Sequence, residues 1–591
     1  MTNRKRIAIV GAGHNALVCA CYLAKAGHEV TVFERRSRPG GAVNTEEMWW
    51  EPCEAHRGMG GNSMPDMACE SCVNHKYQVD TCSVMHILIH KTPVIEELGL
   101  HRFGLEYMQM DPWGFAPFPD GSHILFYKDL DRTCQSIAAI SEPDAERYRA
   151  FVQKWHKFNR QVFDVFAQSP SPGAMFGGIA RRTAIAQMRG EHDPSMTGAE
   201  LLRQVLGSYD KMLVETFESP QVMSAVGWMA AQSGPPPSEV GAGALAGAHS
   251  LYHDVGATRP RGGSGMLSQA LARCLEHHGG TVGCNAPVKR VLLGAGGRVR
   301  GVELEDGERV GADLVVSGAH VQTTLLGLVG REHLPGKLAA KLESLRVGDG
   351  IGMTLRCAID ELPTYTAYAP SQQGHADCHH AMQLICPSLD YLQRAYDDAK
   401  RGYPARQPAL VAMTPSSVDP TIVPPGKHSL YIWAQYHPYK LAGGESWDAI
   451  REREANRLLA TLAEYAPNMP TDVREVAHHY IQTPLDLERN VGLLRGNIMH
   501  IDMSLDQMFM FRPLPELAYY RTPIGGLYLT GASTHPGGGV SGASGRNAAH
   551  AVLLDLAEKR RSWRGAALAG AGLLAVGVLA GRRKAGKSRL V

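Results

Sequence analysis

The stretch from Arg6 to Glu34 leaves few options for how this chain begins to fold. Arg6 to Val10 (RIAIV) is a short apolar run of the kind found in a strand buried on both faces of a parallel sheet. Gly11-Ala12-Gly13-His14-Asn15-Ala16 interrupts it. Leu17 to Ala26 then places apolar residues at helical spacing and stops at Gly27, and Glu29 to Phe33 is a second strand closing on Glu34. This order predicts a βαβ unit of about 30 residues. Each part has a use if the unit holds a dinucleotide. Gly11 permits the tight turn, Gly13 lets the backbone approach a pyrophosphate, and the free amides at the helix start hold that group. Ala16 stands at the third glycine position, where only close strand–helix packing is at stake. Glu34 is placed to accept hydrogen bonds from a ribose diol.

The remainder of the 591 residues has room for more than one packed unit. With 44% hydrophobic and 20% charged residues the composition is that of a soluble globular protein. A net charge of +2, without a basic stripe interleaved with aromatics, gives no reason to expect a nucleic-acid partner. Twelve cysteines in such a length are not a disulfide scaffold, and Met1 to Arg6 runs into the first strand without an apolar leader, so a reducing cytoplasm is expected. Ser141 to about Tyr252 reads as mostly helical, broken at Ser169 to Gly173 and Gly234 to Pro237. Arg259 to Gly265 enters a helix, Met266 to His278. Strands are expected around Val282, at Val288 to Leu293 and Val299 to Leu304 (the last two joined by the turn Gly294 to Gly297), and at Leu314 to Ser317. Mixed segments follow to about residue 500. The last globular piece is a strand, Gly526 to Thr530, a glycine-dense loop, and a helix from about Gly545 to Lys559. There are no internal repeats.

The glycine turn does not distinguish FAD from NAD. Two further segments do, through a resemblance. Arg35-Arg36-Ser37-Arg38-Pro39-Gly40-Gly41 is similar to the extension that covers the FAD pyrophosphate in flavoproteins of the amine oxidase and phytoene desaturase superfamily. Leu527 to Ala532, His535 to Gly539 and Gly542 to Asn547 resemble the segment that meets the ribityl chain and isoalloxazine ring there. His500 to Asn547, with its DMSLDQM, RPLPE and TGASTHPGG pieces, resembles the C-terminal signature of the bacterial carotene ketolase branch. Gly11 to Val18, Asp111 to Gly121 and Arg259 to Leu267 are also similar to that branch, and the likeness covers most of residues 5–555. The resemblance implies an α/β fold: a Rossmann-like FAD-binding domain with an interleaved mixed α+β substrate domain. Residues 1–130, 255–330 and 500–558 would form the discontinuous FAD-binding domain, and 131–254 with 331–499 the substrate domain. The cofactor contacts expected are Gly11, Gly13, Ala16, Glu34, Arg35, Gly40, Gly41, Val288, Gly531, Gly538 and Gly539.

The implied reaction is removal of hydrogen from the carbon of a carotenoid-like polyene, by desaturation or ring ketolation, with hydride passing to flavin. A second glycine fingerprint for a nicotinamide domain is absent, so a membrane quinone or dioxygen is the expected acceptor. Another lipophilic substrate, or a redox-inactive lipid-binding protein of the same fold, remains open. The run Met503, Met508, Phe509, Met510, Phe511 is expected near the flavin, as polarizable lining or as core. His535 and Arg512 are the polar candidates for catalysis, each with a structural role as the alternative. Two features depart from the family. Between Glu47 and Asp80 lies an insertion with Cys53, His56, Cys69, Cys72 and His75, followed by Cys82. The Cys69–Cys72 spacing suits half a zinc site, a redox pair or an unmetallated insert. The tail 559–591 joins an apolar run, Ala566 to Ala580, to basic flanks. It reads as a membrane anchor, with a flexible or packed tail as the alternative. Membrane lipids and a lipophilic small molecule are the partners expected; the oligomeric state is left open.

Overall fold

The computed structural model describes residues 4–50, 76–168, 170, 198–368 and 377–558. Five short strands form an all-parallel sheet in the order Leu527–Leu529, Leu314–Ser317, Arg6–Val10, Glu29–Phe33, Thr281–Gly283. The chain crosses over on either side of Arg6–Val10, as in a doubly wound sheet. Arg6–Val10, Leu314–Ser317 and Leu527–Leu529 are buried at nearly every position because both faces are covered there. His14–Lys25, Gly265–His277 and the helix 543–558 pack on one face. On the other lie a three-stranded antiparallel sheet, Val288–Leu293, Val299–Leu304 and Arg309–Gly311, and the helices Thr323–Gly330 and Gly336–Glu343. The first helix begins at His14, three residues ahead of its apolar spacing, because Gly13 is its N-cap.

A second sheet of seven strands runs His478–Gln482, Gly352–Ile359, His428–Gln435, Ala409–Met413, Met382–Ile385, Gly114–Pro117, His123–Phe126. It is antiparallel except where Met382–Ile385 meets Gly114–Pro117. Helices Glu142–Phe166 and Pro220–Ala231 cover one face through Phe151, Trp155, Val222 and Trp228; Trp447–Ala463 covers the other through Leu458, Leu459 and Leu462. Gly352–Ile359 is buried along its whole length, as a strand sandwiched between two helical layers must be.

Among the described residues no helix is long and apolar enough to cross a membrane, and no group of three or more His, Cys, Asp and Glu side chains could hold a metal ion. The apolar run 566–580 and the candidate ligands Cys53, His56, Cys69, Cys72 and His75 lie outside the described residues.

Candidate functional site

A cavity of about 560 Å³ opens at the carboxyl ends of the parallel strands, where the strand order reverses. Pockets for small molecules and cofactors are of this size, and an open α/β sheet places them at this point. Of the expected cofactor contacts, Gly11, Gly13, Ala16, Glu34, Arg35, Gly41, Val288, Gly531 and Gly539 line it. Gly40 and Gly538 do not. The Gly40 amide donates to the Ala12 carbonyl (2.8 Å) and holds the glycine turn from behind. Gly538 backs onto Met499, whose Sδ would lie 2.3 Å from a Cβ placed there.

The wall is built from local chain geometry. Gly11 turns out of its strand with φ +84°, its amide donating to the Phe33 carbonyl (2.8 Å). The helix it feeds has no side-chain cap, so its first-turn amides are free to meet an anion at the positive end of the helix dipole. A Cβ on Gly13 would meet nothing within 4 Å, because that position faces open cavity. Ala16 packs so closely on the neighbouring strand end that a Cβ on Gly318 would come within 2.7 Å of its own. Gly531 closes the far side with φ +93°, where a Cβ would be 2.9 Å from the Gly318 carbonyl. Glu34 is buried, accepting from the Ala12 amide (2.7 Å) and the Arg36 amide (3.0 Å). A carboxylate has about four acceptor sites, so these two bonds fix it and leave others for a diol. Asn15 Oδ1 is buried without a partner and awaits a donor such as a hydroxyl. Amides for a phosphate, a fixed carboxylate for a ribose and an orphan acceptor for a hydroxyl together fit a flavin dinucleotide.

The two catalytic candidates sit behind this wall. Arg512 is fully buried and spends its guanidinium on the carbonyls of Met499, Ile501, Asp502, Gln507 and Ala532, at 2.6–3.4 Å. Burial pushes it down to about 9, still a cation at neutral pH. It clips the 499–507 segment to the 531–539 loop. His535 Nε2 bonds the Val165 carbonyl (3.3 Å), its ring lies between Phe166 and Phe509, and burial holds it near 4. Neither lines the cavity. The run Met503 to Phe511 is also outside the lining: Phe509 packs on Phe166, Phe511 is 42% exposed, and the methionine in the wall is Met499. Cys82 does line the cavity, its thiol pushed up to about 11 by burial.

Sequence reasoning missed three histidines in the wall, His14, His320 and His500. His14 lies inside the glycine motif and could have been singled out. His500 opens the segment that carries the C-terminal resemblance but was no site candidate there, His320 follows no pattern, and their meeting depends on segments 180 residues apart. Burial lowers the pKa of all three, His14 and His320 to about 4 and His500 well below its ordinary value. At neutral pH each is an uncharged imidazole.

Comparison with known proteins bears on this geometry. The family model described as flavin containing amine oxidoreductase matches residues 17–349. The chain is 32% identical to pyridine nucleotide-disulfide oxidoreductase domain-containing protein 2 of Rattus norvegicus, over 93% of this chain and 93% of the relative. It is 26% identical to a limonene dehydrogenase subunit of Castellaniella defragrans (93% and 94%) and 23% to the lycopene-forming phytoene desaturase of Pantoea ananas (93% and 99%). Among solved structures, an oxidoreductase from Methanosarcina mazei superposes with a TM-score of 0.56 at 16% identity, covering 93% of this chain and 99% of the other.

Proposed function

The chain belongs to the flavin-containing amine oxidoreductase family and is an FAD-dependent oxidoreductase, and we propose that it removes hydrogen from the carbon of a carotenoid-like polyene. Bound FAD supplies the acceptor for a hydride. In this reading the amides from Gly13 to Ala16 hold the pyrophosphate and Glu34 binds the ribose. Val288 and Glu305 border the nucleotide end, and Gly531, Ala532 and Gly539 border the flavin end. Arg512 acts through the loops it joins, and His535 as an anchor for the end of the long helix Glu142–Phe166.

One observation carries the substrate class. The ionised side chains of the cavity wall, Glu34, Arg35 and Glu305, gather at the nucleotide end. Glu34 and Arg35 are sequence neighbours, and the Glu305 amide donates to Pro287, beside Ala286, whose own amide donates to the Glu34 carbonyl. The opposite wall offers Ile498, Met499, Val540 and neutral imidazole. No charged side chain stands on that wall to pair an ammonium or carboxylate, and it suits a hydrocarbon. The likeness to proteins named for phytoene and limonene chemistry supports the same class. The narrower resemblance to the carotene ketolase branch makes ring ketolation the alternative to desaturation. A membrane quinone or dioxygen is the proposed acceptor, with the basic and apolar tail 559–591 holding the enzyme to lipid.

The test is a carotenoid profile, by chromatography and mass spectrometry, of cells that accumulate phytoene, lycopene or β-carotene and express this protein. Loss of hydrogen pairs identifies a desaturase, and a ring methylene turned to carbonyl a ketolase. An unchanged profile from a protein that carries FAD refutes the carotenoid assignment. It would favour a second reading, a shorter isoprenoid hydrocarbon, to which the 26% identity with the limonene dehydrogenase chain lends weight.

A further inference from the structure

The three wall histidines differ in what they have left to offer. His14 accepts from the Asn15 side-chain amide at Nε2 (3.0 Å), and its other ring nitrogen is held by the backbone of Gly539. His320 donates from Nε2 to the His500 carbonyl (2.9 Å) and accepts the Gln322 amide at Nδ1 (3.1 Å). A carbonyl only accepts and an amide N–H only donates, so the tautomers of both are fixed and both rings are fully used.

His500 is different. Its Nδ1 lies 3.2 Å from Ser533 Oγ, and that oxygen already accepts the Val321 amide (3.1 Å). Ser533 is buried and its hydroxyl proton has no other acceptor among the described residues, so the hydroxyl donates towards Nδ1 and the single proton of the neutral imidazole resides on Nε2. No described residue partners that Nε2, while the ring lines the cavity. The ring is also held in place. It stacks on His320 at 5.6 Å, the His500 carbonyl receives the His320 N–H, and its amide donates to Asn497 (3.0 Å). The backbone is in the left-handed region, φ +65°, which a residue other than glycine adopts only at a cost. Strain of this kind, stabilised from four directions, is a mark of a positioned group.

Resting on the reading of this cavity as the FAD site, we infer that His500 directs its Nε2–H at the flavin end of the cofactor and raises its reduction potential. Ser533, which orients the ring, belongs to the same 531–539 loop that lines that end. Hydride uptake adds negative charge to the ring system, and a fixed N–H donor aimed there stabilises the charged form more than the uncharged one. Ser533 and His320 are positioning residues, since they act only through His500.

The experiment is the midpoint potential of the FAD holoenzyme, by equilibration with reference dyes, for wild type, His500→Asn and His500→Gln. Asparagine tolerates the left-handed backbone and reaches Ser533, but has no donor at the Nε2 position; glutamine extends an amide to it. The asparagine variant should make the reduced cofactor about tenfold less favoured, a shift of about 30 mV to more negative potential for two electrons. The glutamine variant should recover part of that. FAD-loaded variants with the wild-type potential, or equal shifts in both, overturn the inference. Should His500→Asn fail to retain FAD, Ser533→Ala carries the test: it keeps the imidazole but frees its orientation, and must shift the potential in the same direction by less. No shift there overturns the inference too. Failure of the underlying reading looks different. A Gly13→Ala variant that keeps wild-type FAD affinity would remove the cavity as the cofactor site, whatever His500 does.

Discussion

Gly13→Ala separates folding from cofactor binding, because the position faces the cavity and not the protein interior. Gly13 has φ −63° and ψ 154°, a conformation alanine adopts freely, and the added methyl meets no protein atom within 4 Å. Stability of the apoprotein should therefore change little. Lower entropy of the unfolded chain gains about 0.4–1 kcal/mol, and the poorer N-cap offsets it by a similar amount. The methyl projects into the space in front of the first-turn amides. An anion displaced from one charge-assisted hydrogen bond loses about 1.5–3 kcal/mol, which is roughly 10- to 150-fold in affinity. The assay is paired: thermal unfolding of the two apoproteins, and titration of each with FAD by flavin fluorescence. The expected result is a melting temperature within a few degrees of wild type and an FAD dissociation constant raised by one to two decades. Unchanged FAD affinity would refute the placement of the pyrophosphate. A large loss of apoprotein stability would refute the claim that this position faces open space.

Three other perturbations follow from the same packing. Gly545→Ala would set a Cβ 2.1 Å from the Asn15 carbonyl and 2.9 Å from Val18, forcing the two helices apart; apoprotein stability should fall by about 1–3 kcal/mol, seen as an earlier urea midpoint. Arg512→Met removes the donor to five carbonyls at about 1–3 kcal/mol for each left unsatisfied, so the apoprotein should be strongly destabilised, and Arg512→Lys should recover little because an ammonium cannot span that set. Wild-type stability at Arg512→Met would show that water replaces the clip. The Arg546 guanidinium beside Glu97 holds that carboxyl at about 2, below its ordinary 4.5, so the pair stabilises the fold above pH 4.5 and that contribution fades as pH falls towards 2. In Arg546→Gln the urea midpoint should vary less steeply across that window, and an unaltered slope would count against the pair.

The nucleotide half of the site was legible because its chemistry is local. Gly11, Gly13 and Glu34 lie within one βαβ unit, so their spacing pointed to them, whereas Gly531 and Gly539 were expected from the resemblance of their loop to a flavin-binding segment. Gly538 was not separable from its neighbours in sequence, because only the approach of Met499 decides which glycine faces the cavity. The seven-stranded sheet was read no more finely than as mixed segments. Gly352–Ile359 and Ala409–Met413 are buried on both sides and so lack the alternation that marks a half-exposed strand. His320 gave no signal and His500 none beyond its place at the head of the C-terminal segment, since an imidazole becomes a site only through the partners that fix its tautomer, and those partners come from Gln322, Ser533 and the His500 carbonyl.

The parallel sheet also sets a schedule. Its first two strands leave the ribosome together, but the third, Thr281–Gly283, follows roughly 250 residues later, and the fifth, Leu527–Leu529, comes last of all. At about 5–20 residues per second, the first of those gaps alone lasts roughly 12–50 s. Throughout it Arg6–Val10 and Glu29–Phe33 present apolar edges with no partner, the kind of surface on which nascent chains pair with each other. Until Leu527–Leu529 docks beside Leu314–Ser317 the loop that closes the far wall of the cavity has nothing to stand on. A chain that stops short of residue 527, through a nonsense codon or a proteolytic nick, therefore keeps every residue of the glycine turn and still has no completed pocket.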